Sequence, residues 1–241
     1  MTEPIRPGDK VVIVKRRNLR EELQVALNVL LIVFVGTGLK IMMSNQGQSG
    51  PLTGAGIENL KYFTVLSNIL CGIVAVCWVA FYVFNKQLPA VWKLVSASAV
   101  VLTMLIIAAF LAPLYPDLNL YEGGNLYFHR IVPLIALAEF FIVKTDKKIP
   151  LKYTFLAASL SMLYGMGYLV NNLVNGIGQW PDTNDWYGFL NWGYPVGMGI
   201  FAGVVLMHWG IALLLRFIND KIYRQRRQYE SKTPGQVNGI G

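Results

Sequence analysis

The sequence contains few charged residues, cysteines and histidines, and each shortage excludes a class of protein. Only 14% of its 241 residues are charged, whereas soluble domains of this size carry about a quarter. Cys71 and Cys77 fall on one predicted helix, at a spacing that does not allow them to bridge. With two histidines on distant predicted helices and no paired cysteines, neither a zinc nor a haem site is expected. We therefore predict no metal and no cofactor.

Three sequence signals of other functions and destinations are also missing. Gly123-Gly124 is too short to be a phosphate-binding loop. No internal repeat is found, which disfavours a transporter built from two inverted halves. About twenty polar and basic residues precede the first apolar run without a cleavage site, so that run is expected to remain as a membrane anchor.

The sequence is rich in apolar residues, which make up 54% of the chain and form six runs of membrane-spanning length. The runs are Leu23–Met43, Lys61–Phe84, Val91–Leu111, Tyr127–Val143, Leu151–Val170 and Val196–Ile218. We predict an all-α polytopic membrane protein with a basic tail at 1–22, a six-helix domain at 23–218 and a basic to polar tail at 219–241. The third run is interpreted as polar only at Ser96, Ser98 and Thr103. Gly199 and Gly203 of the last run have the spacing of a close helix contact.

The positive charge indicates the orientation of these helices. All 21 Lys and Arg residues except Lys40, Lys61 and Arg130 fall in segments on the amino-terminal side of the predicted bundle. Cytoplasmic segments of membrane proteins carry the excess of cations, so both termini are predicted to be cytoplasmic. The net charge of +8 is explained in this way, and no nucleic-acid partner is expected.

The second run begins with a polar stripe. Thr64, Ser67, Asn68 and Cys71 stand at i, i+3, i+4 and i+7 and therefore share one face of a helix. A polar face in a membrane helix points into the protein. In the predicted topology His129 lies in the first turn of the fourth run, at a depth similar to that of Thr64. Tyr164, Tyr168 and Asn172 lie at spacings of four on the fifth run, at the same end of the bundle.

A hydroxyl beside an imidazole is the minimum required for nucleophilic catalysis, with Thr64 as nucleophile and His129 as base. Asn68 and Ser67 are candidates to stabilise an oxyanion or to orient the imidazole. Structural roles compete with this reading. Threonine in a membrane helix commonly bonds its own i−4 carbonyl, asparagine bonds a neighbouring helix, and a histidine can simply be packed. His208, alone in the last run, is interpreted as structural.

Two further charged residues of the fourth run are candidates for the pocket or for a proton relay. Glu139 lies about 15 Å deeper than His129. Because an unpaired carboxylate in the membrane is costly, we expect it to be paired with a hydroxyl or tyrosine of a neighbouring span. Arg130 lies near the headgroups, where it can snorkel or bind a lipid carboxylate or phosphate.

Three segments of the sequence resemble a known family. The segments YFTVLSN around Thr64 and NLYFHRIVPLIALAEFF around His129, with DWYGFLNWGYP before the last run, are similar to the androgen-induced and androgen-dependent membrane hydrolases and to their bacterial relatives. The resemblance implies six spans, a threonine nucleophile with a histidine, and hydrolysis of fatty-acid esters of hydroxy fatty acids. Thr64 and His129 stand at those positions. It also implies a lipid substrate within the bilayer and a location in the bacterial plasma membrane. The oligomeric state stays open, and the alternative is a protein that binds or transports a lipid or small solute in the same pocket.

Overall fold

The computed structural model describes residues 19–44, 52, 54–142, 148–179 and 183–232, and these residues form a helical bundle. Six helices are long and apolar enough to cross a membrane, which confirms the six predicted spans. They are α1 (Leu19–Ser44), α2 (Phe63–Val83), α3 (Ala90–Leu114), α4 (Gly124–Ile142), α5 (Lys152–Asn175) and α6 (Tyr194–Lys232). A short 3₁₀ helix, Gly56–Lys61, precedes α2.

The helices at both ends of the chain extend into the predicted tails. The first helix begins at Leu19, within the predicted tail at 1–22, and residues 1–18 of that tail lie outside the described residues. The last helix continues without a break past Ile218 to Lys232. Most of the segment assigned to a carboxyl-terminal tail is therefore helical, and residues 233–241 lie outside the described part of the chain.

The third helix is the centre of the bundle. It packs against α2, α4, α5 and α6, and it is the most buried of the six spans. The first helix closes one side by packing on α2 and α4, while α5 and α6 pair on the other side. Every residue of α3 from Lys93 to Thr103 is buried, so this part of the helix has no face left for lipid, and small and apolar residues such as Ala97, Ala99 and Val100 pack there.

Two of the spans widen into a π-helical turn, and proline accounts for both. The turns are Ile107–Leu111 in α3 and Tyr127–Ile131 in α4, and each is followed two residues later by a proline, Pro113 or Pro133. Proline has no N–H to bond the carbonyl four residues before it, so the regular ladder cannot continue through that position. Single π turns inside α-helices are frequent at functional sites. Here the second turn carries His129, and residues of the first line the cavities beside it.

Close contact between helices depends on glycines other than those predicted. A Cβ atom at Gly38 would lie 2.5 Å from Cε1 of Phe128, and one at Gly124 would lie 2.6 Å from Cγ of Met42, so α1 and α4 touch at these positions. By contrast, a Cβ at Gly199 or Gly203 would meet nothing within 4 Å. The prediction of a close helix contact at Gly199 and Gly203 is therefore wrong for the described bundle.

This contact yields a stability prediction with a matched control on one helix. Gly38→Ala is expected to lower the free energy of unfolding by about 1–3 kcal/mol, because the fully buried ring of Phe128 has no free space to move into. Gly36→Ala, where no atom lies within 4 Å, should be neutral or slightly stabilising, because alanine favours the helix. Thermal unfolding of both variants in detergent micelles tests this. Equal unfolding temperatures for the two variants would contradict the packing described here.

Candidate functional site

Thr64 is a buried residue whose hydroxyl faces two cavities. Thr64 is the second residue of α2. This helix begins directly after Tyr62, an extended residue that separates it from the 3₁₀ helix. Since the chain turns there, no regular i−4 carbonyl lies below the side chain. Three other threonines donate to a backbone oxygen three or four residues earlier: Thr37, Thr103 and Thr154. Within the described part of the chain, no hydrogen bond is found for the Thr64 hydroxyl.

Thr64 lies where two cavities adjoin. The first, of about 50 Å³, is named here the apolar cavity, and Leu102, Phe189, Phe201 and Val204 are among its walls. The second, of about 20 Å³, is named the polar cavity; it is lined by His129 and contains room for about one water molecule. Four residues line both cavities: Thr64, Ile107, Leu111 and Tyr187. The free hydroxyl therefore borders an apolar space on one side and the imidazole compartment on the other.

The imidazole of His129 is held in one orientation by the backbone. The side chain is buried, and its Nδ1 atom lies 2.5 Å from the carbonyl oxygen of Leu120, in the loop before α4. A carbonyl oxygen only accepts hydrogen bonds, so Nδ1 carries the proton and Nε2 carries the lone pair. Neutral histidine in this tautomer is ready to accept a proton at Nε2. The π turn at Tyr127–Ile131 places this ring on the inner face of α4.

Asn68 and Ser67 bind backbone and helix partners. The Asn68 amide donates to the carbonyl of Thr64 at 2.7 Å and to that of Phe128 at 3.2 Å, so both of its N–H groups are used. Its Oδ1 atom is buried without a partner. The Ser67 hydroxyl lies 3.0 Å from the Thr64 carbonyl and 3.1 Å from the Thr103 hydroxyl. In this arrangement Asn68 joins α2 to the π turn that carries His129, and it has no N–H left for an oxyanion.

A tyrosine that the sequence reasoning did not select lies at the junction of the cavities. The Tyr187 hydroxyl oxygen accepts a hydrogen bond from the Phe63 backbone N–H at 2.8 Å. Among the described residues, its own hydrogen has no acceptor nearer than the Tyr164 oxygen at 3.5 Å, and Tyr164 itself donates to the Lys61 carbonyl at 2.6 Å. Burial raises the pKa of Tyr187 well above its ordinary value, so the group stays a neutral donor.

The three predicted site residues of α5, Tyr164, Tyr168 and Asn172, bind the loop over the site. Tyr164 lines the apolar cavity and also accepts a hydrogen bond from the Trp186 indole at 3.1 Å. Tyr168 donates to the buried carboxylate of Asp185, whose other oxygen accepts the Leu190 N–H at 2.8 Å. Asn172 donates to the carbonyl of Asn184 at 3.1 Å. Tyr168 and Asn172 thus fasten the loop at residues 183–191 and do not line either cavity.

Arg130 and Glu139 lie apart from the cavities. Arg130 is exposed on the outer face of α4, directly after the buried His129. Glu139 is buried near the far end of α4, where its Oε1 atom lies 3.1 Å from Nζ of Lys93 and accepts from the Asn28 amide at 2.9 Å. Lys93 also donates to the Asn28 oxygen. The expected pairing of Glu139 with a hydroxyl or tyrosine is wrong: its partners are a lysine of α3 and an asparagine of α1.

The contact between Lys93 and Glu139 also corrects the prediction that the third span is polar only at Ser96, Ser98 and Thr103. Lys93 lies inside α3 and is buried. Because only two residues separate Lys93 from the start of the apolar run, the sequence alone favours grouping it with the cytoplasmic cations of the preceding turn. A mid-membrane carboxylate requires a partner of opposite charge or several donors, and that requirement was the available signal.

No protein-family model, no curated protein and no solved structure matches the chain.

Proposed function

We propose that this chain is an intramembrane hydrolase that cleaves acyl esters of lipids, with Thr64 as the nucleophile and His129 as the general base. One observation carries the proposal: Thr64 is a buried residue whose hydroxyl makes no hydrogen bond within the described residues and borders both an apolar cavity and a polar cavity lined by His129. A hydroxyl that no other group of the protein binds is free to react with a molecule that enters the cavities. The resemblance to membrane threonine hydrolases assigns the same two residues to the same roles.

The two cavities match the two halves of an ester. The apolar cavity suits the acyl chain, and the polar cavity beside His129 suits the alcohol oxygen and later a water molecule. Thr64 Oγ1 attacks the carbonyl carbon, and its proton passes to Nε2 of His129. The leaving alcohol takes that proton, which yields an acyl-threonine. Water then attacks the acyl group, gives a proton to His129 and releases the fatty acid and the free hydroxyl.

Tyr187 is our candidate for stabilising the oxyanion that forms in both steps. It lines both cavities beside Thr64, and its hydrogen has no close acceptor. The first candidates, Asn68 and Ser67, remain in the proposal as residues that position Thr64 and His129 through the backbone. Glu139 and Arg130 have no part in the chemical steps.

This assignment makes a prediction for Tyr187. Tyr187→Phe removes only the hydroxyl, and the rate constant for ester hydrolysis is expected to fall about 10²-fold, as for loss of one oxyanion donor. KM should change little, because the ring and its aromatic contacts remain. Steady-state kinetics with the purified protein in nanodiscs measure both constants. A rate constant equal to that of the wild type would remove Tyr187 from the mechanism.

The apolar cavity of about 50 Å³ is smaller than the 300–1,000 Å³ typical of ligand sites. A lipid therefore enters only when the rings around the cavity, such as Phe189 and Phe201, move aside. We take the substrate class to be long-chain acyl esters, of the type formed between a fatty acid and a hydroxy fatty acid, by analogy with the resembling family.

The direct test is an assay of the purified full-length protein in lipid nanodiscs. The discs contain a fatty-acid ester of a hydroxy fatty acid or, in parallel, a triacylglycerol or phospholipid, and released fatty acid is measured by mass spectrometry. We expect release from at least the first substrate. If the protein retains the ester without cleaving it, the alternative of lipid binding or transport replaces the hydrolase.

We further propose that both termini lie in the cytoplasm and that the protein resides in a bacterial plasma membrane. The distribution of Lys and Arg supports this orientation. A reporter that is active only in the cytoplasm should be active when fused after Gly241. Activity of a reporter that requires export, fused at the same position, would overturn the orientation.

A further inference from the structure

A second hydroxyl–imidazole pair lies in the middle of the bundle. His208 of α6 is fully buried, and its Nδ1 atom lies 3.0 Å from the hydroxyl oxygen of Ser161 in α5. Its Nε2 atom lies 3.2 Å from the hydroxyl oxygen of Ser98 in α3. Both serines are buried. In contrast to Thr64 and His129, this nucleophile and base are already within hydrogen-bond distance of one another.

The hydrogen bonds around His208 allow the tautomer that activates Ser161. Each serine hydroxyl also has a backbone acceptor three residues earlier, the Val95 carbonyl at 3.1 Å for Ser98 and the Ala158 carbonyl at 3.0 Å for Ser161, so either serine can receive the imidazole N–H. When Ser98 receives the Nε2–H, the Nδ1 lone pair faces the Ser161 hydroxyl. In this arrangement Ser161 is the nucleophile, His208 is the base and the Ser98 hydroxyl orients the imidazole, as the three residues of a catalytic triad do.

Ser161 also has a space beside it in which a substrate can lie. It is one of the residues that line the apolar cavity, together with Thr64. One turn further along α5 the cavity is lined by Gly165, against which the Phe201 ring packs: a Cβ atom there would lie 3.0 Å from Cδ1 of Phe201. The other walls near it are apolar, including Leu102, Phe201 and Val204. Such a space is apolar enough for an acyl chain, which enters when the rings around the cavity move aside.

We propose that Ser161 and His208 form a second nucleophilic site, which reacts with esters of apolar acyl chains that enter the cavity and does not require Thr64. Ser161 Oγ attacks the ester carbonyl carbon, and its proton moves to Nδ1 of His208. The carbon–oxygen bond of the ester breaks, and the alcohol leaves with that proton. Water then attacks the acyl-serine, gives a proton to His208 and restores the Ser161 hydroxyl as the carboxylic acid departs.

An alkyl fluorophosphonate tests this site in the purified full-length protein in nanodiscs. The Ser161 oxygen displaces fluoride from phosphorus while His208 takes the proton, and the adduct is located by peptide mass spectrometry. We expect an adduct on Ser161 in the wild type and in Thr64→Ala, and none at this position in Ser161→Ala. His208→Gln should slow its formation roughly 10²-fold or more.

Ser159 provides the matched control. It lies on the same helix and also donates to a backbone carbonyl three residues earlier, at 2.7 Å, but it has no imidazole partner and does not line the cavity. Labelling of Ser161 should be unchanged in Ser159→Ala.

An absence of adduct on Ser161 in folded wild-type protein, or equal labelling of Ser159, overturns this inference. In that case the three residues only join α3, α5 and α6. Ester hydrolysis that still requires Thr64 would leave the proposed function intact. Conversely, labelled Ser161 with no hydrolysis at Thr64 would leave this site standing and reject the first.

Discussion

Replacement of Thr64 by alanine, in protein that also carries Ser161→Ala so that the second site is silent, is expected to lower the rate of lipid ester hydrolysis by at least about a thousandfold and to leave the unfolding temperature nearly unchanged. The first effect follows from loss of the nucleophilic oxygen. The second follows because the hydroxyl makes no hydrogen bond in the described bundle, so its removal breaks no hydrogen bond of the folded state. Hydrolysis and thermal unfolding are both measured on purified protein in nanodiscs.

Two variants serve as controls for this result. Thr64→Ser keeps a hydroxyl at the junction of the cavities and should retain measurable turnover. Thr37→Ala removes a threonine whose hydroxyl bonds its own helix on α1, and it should hydrolyse ester at the wild-type rate. Wild-type turnover in Thr64→Ala would mean that another group performs the chemistry. A large fall in unfolding temperature would mean that the hydroxyl has a structural role.

Replacement of Glu139 by leucine is expected to lower the free energy of unfolding by about 3–5 kcal/mol, the largest stability effect that we predict. The carboxylate and the Lys93 ammonium are both buried, and they lie 3.1 Å apart. Without Glu139 the ammonium is left in the bundle with the Asn28 oxygen and the face of the Trp78 ring, 5.7 Å away, as its partners and with no opposite charge among the described contacts. Thermal or denaturant unfolding in detergent micelles measures the change.

The double variant Lys93→Met, Glu139→Leu tests whether the stability is lost through the unpaired charge or through altered side-chain packing. Two apolar side chains of similar size leave no unpaired charge, and such replacements of buried pairs are often neutral or stabilising. Most of the stability lost in Glu139→Leu should therefore return in the double variant, with Asn28 still bonded to the Gln24 carbonyl. A double variant as unstable as the single one would show that packing, and not charge, explains the effect.

The double variant also tests whether Glu139 and Lys93 take part in catalysis. Because Glu139 and Lys93 line neither cavity, the folded double variant should hydrolyse ester at nearly the wild-type rate. A proton relay through Glu139 would instead predict the loss of activity together with the carboxylate.

The sequence was sufficient to predict the spans, because each is a long apolar run and the number of such runs does not depend on packing. It was also sufficient to predict that the polar stripe of α2 faces inward, since Thr64, Ser67, Asn68 and Cys71 are all buried. It did not predict where the last helix ends. Residues 219–232 are polar enough to look like a tail, yet a helix in water needs no apolar run.

The partners of individual polar groups were harder to predict, because they depend on which helices adjoin. The side-chain amide of Asn68 is a suitable donor to an oxyanion, but two backbone carbonyls lie close enough to occupy both of its N–H groups. Lys93 was assigned to a turn, although its ammonium reaches a carboxylate on a distant part of the chain. Tyr187 was one of several aromatic residues in a loop, and only its position against Phe63 distinguishes it. Sequence spacing specifies a shared face but does not specify the neighbour on that face.

The most direct test of the account is the covalent intermediate. Wild-type protein in nanodiscs is mixed with ester substrate, quenched in acid within a turnover, digested and analysed by mass spectrometry. We predict an acyl group on the oxygen of Thr64, and no acyl group at position 64 in Thr64→Ala. Turnover by the wild type with Thr64 unmodified at every quench time would contradict the assignment of Thr64 as the nucleophile.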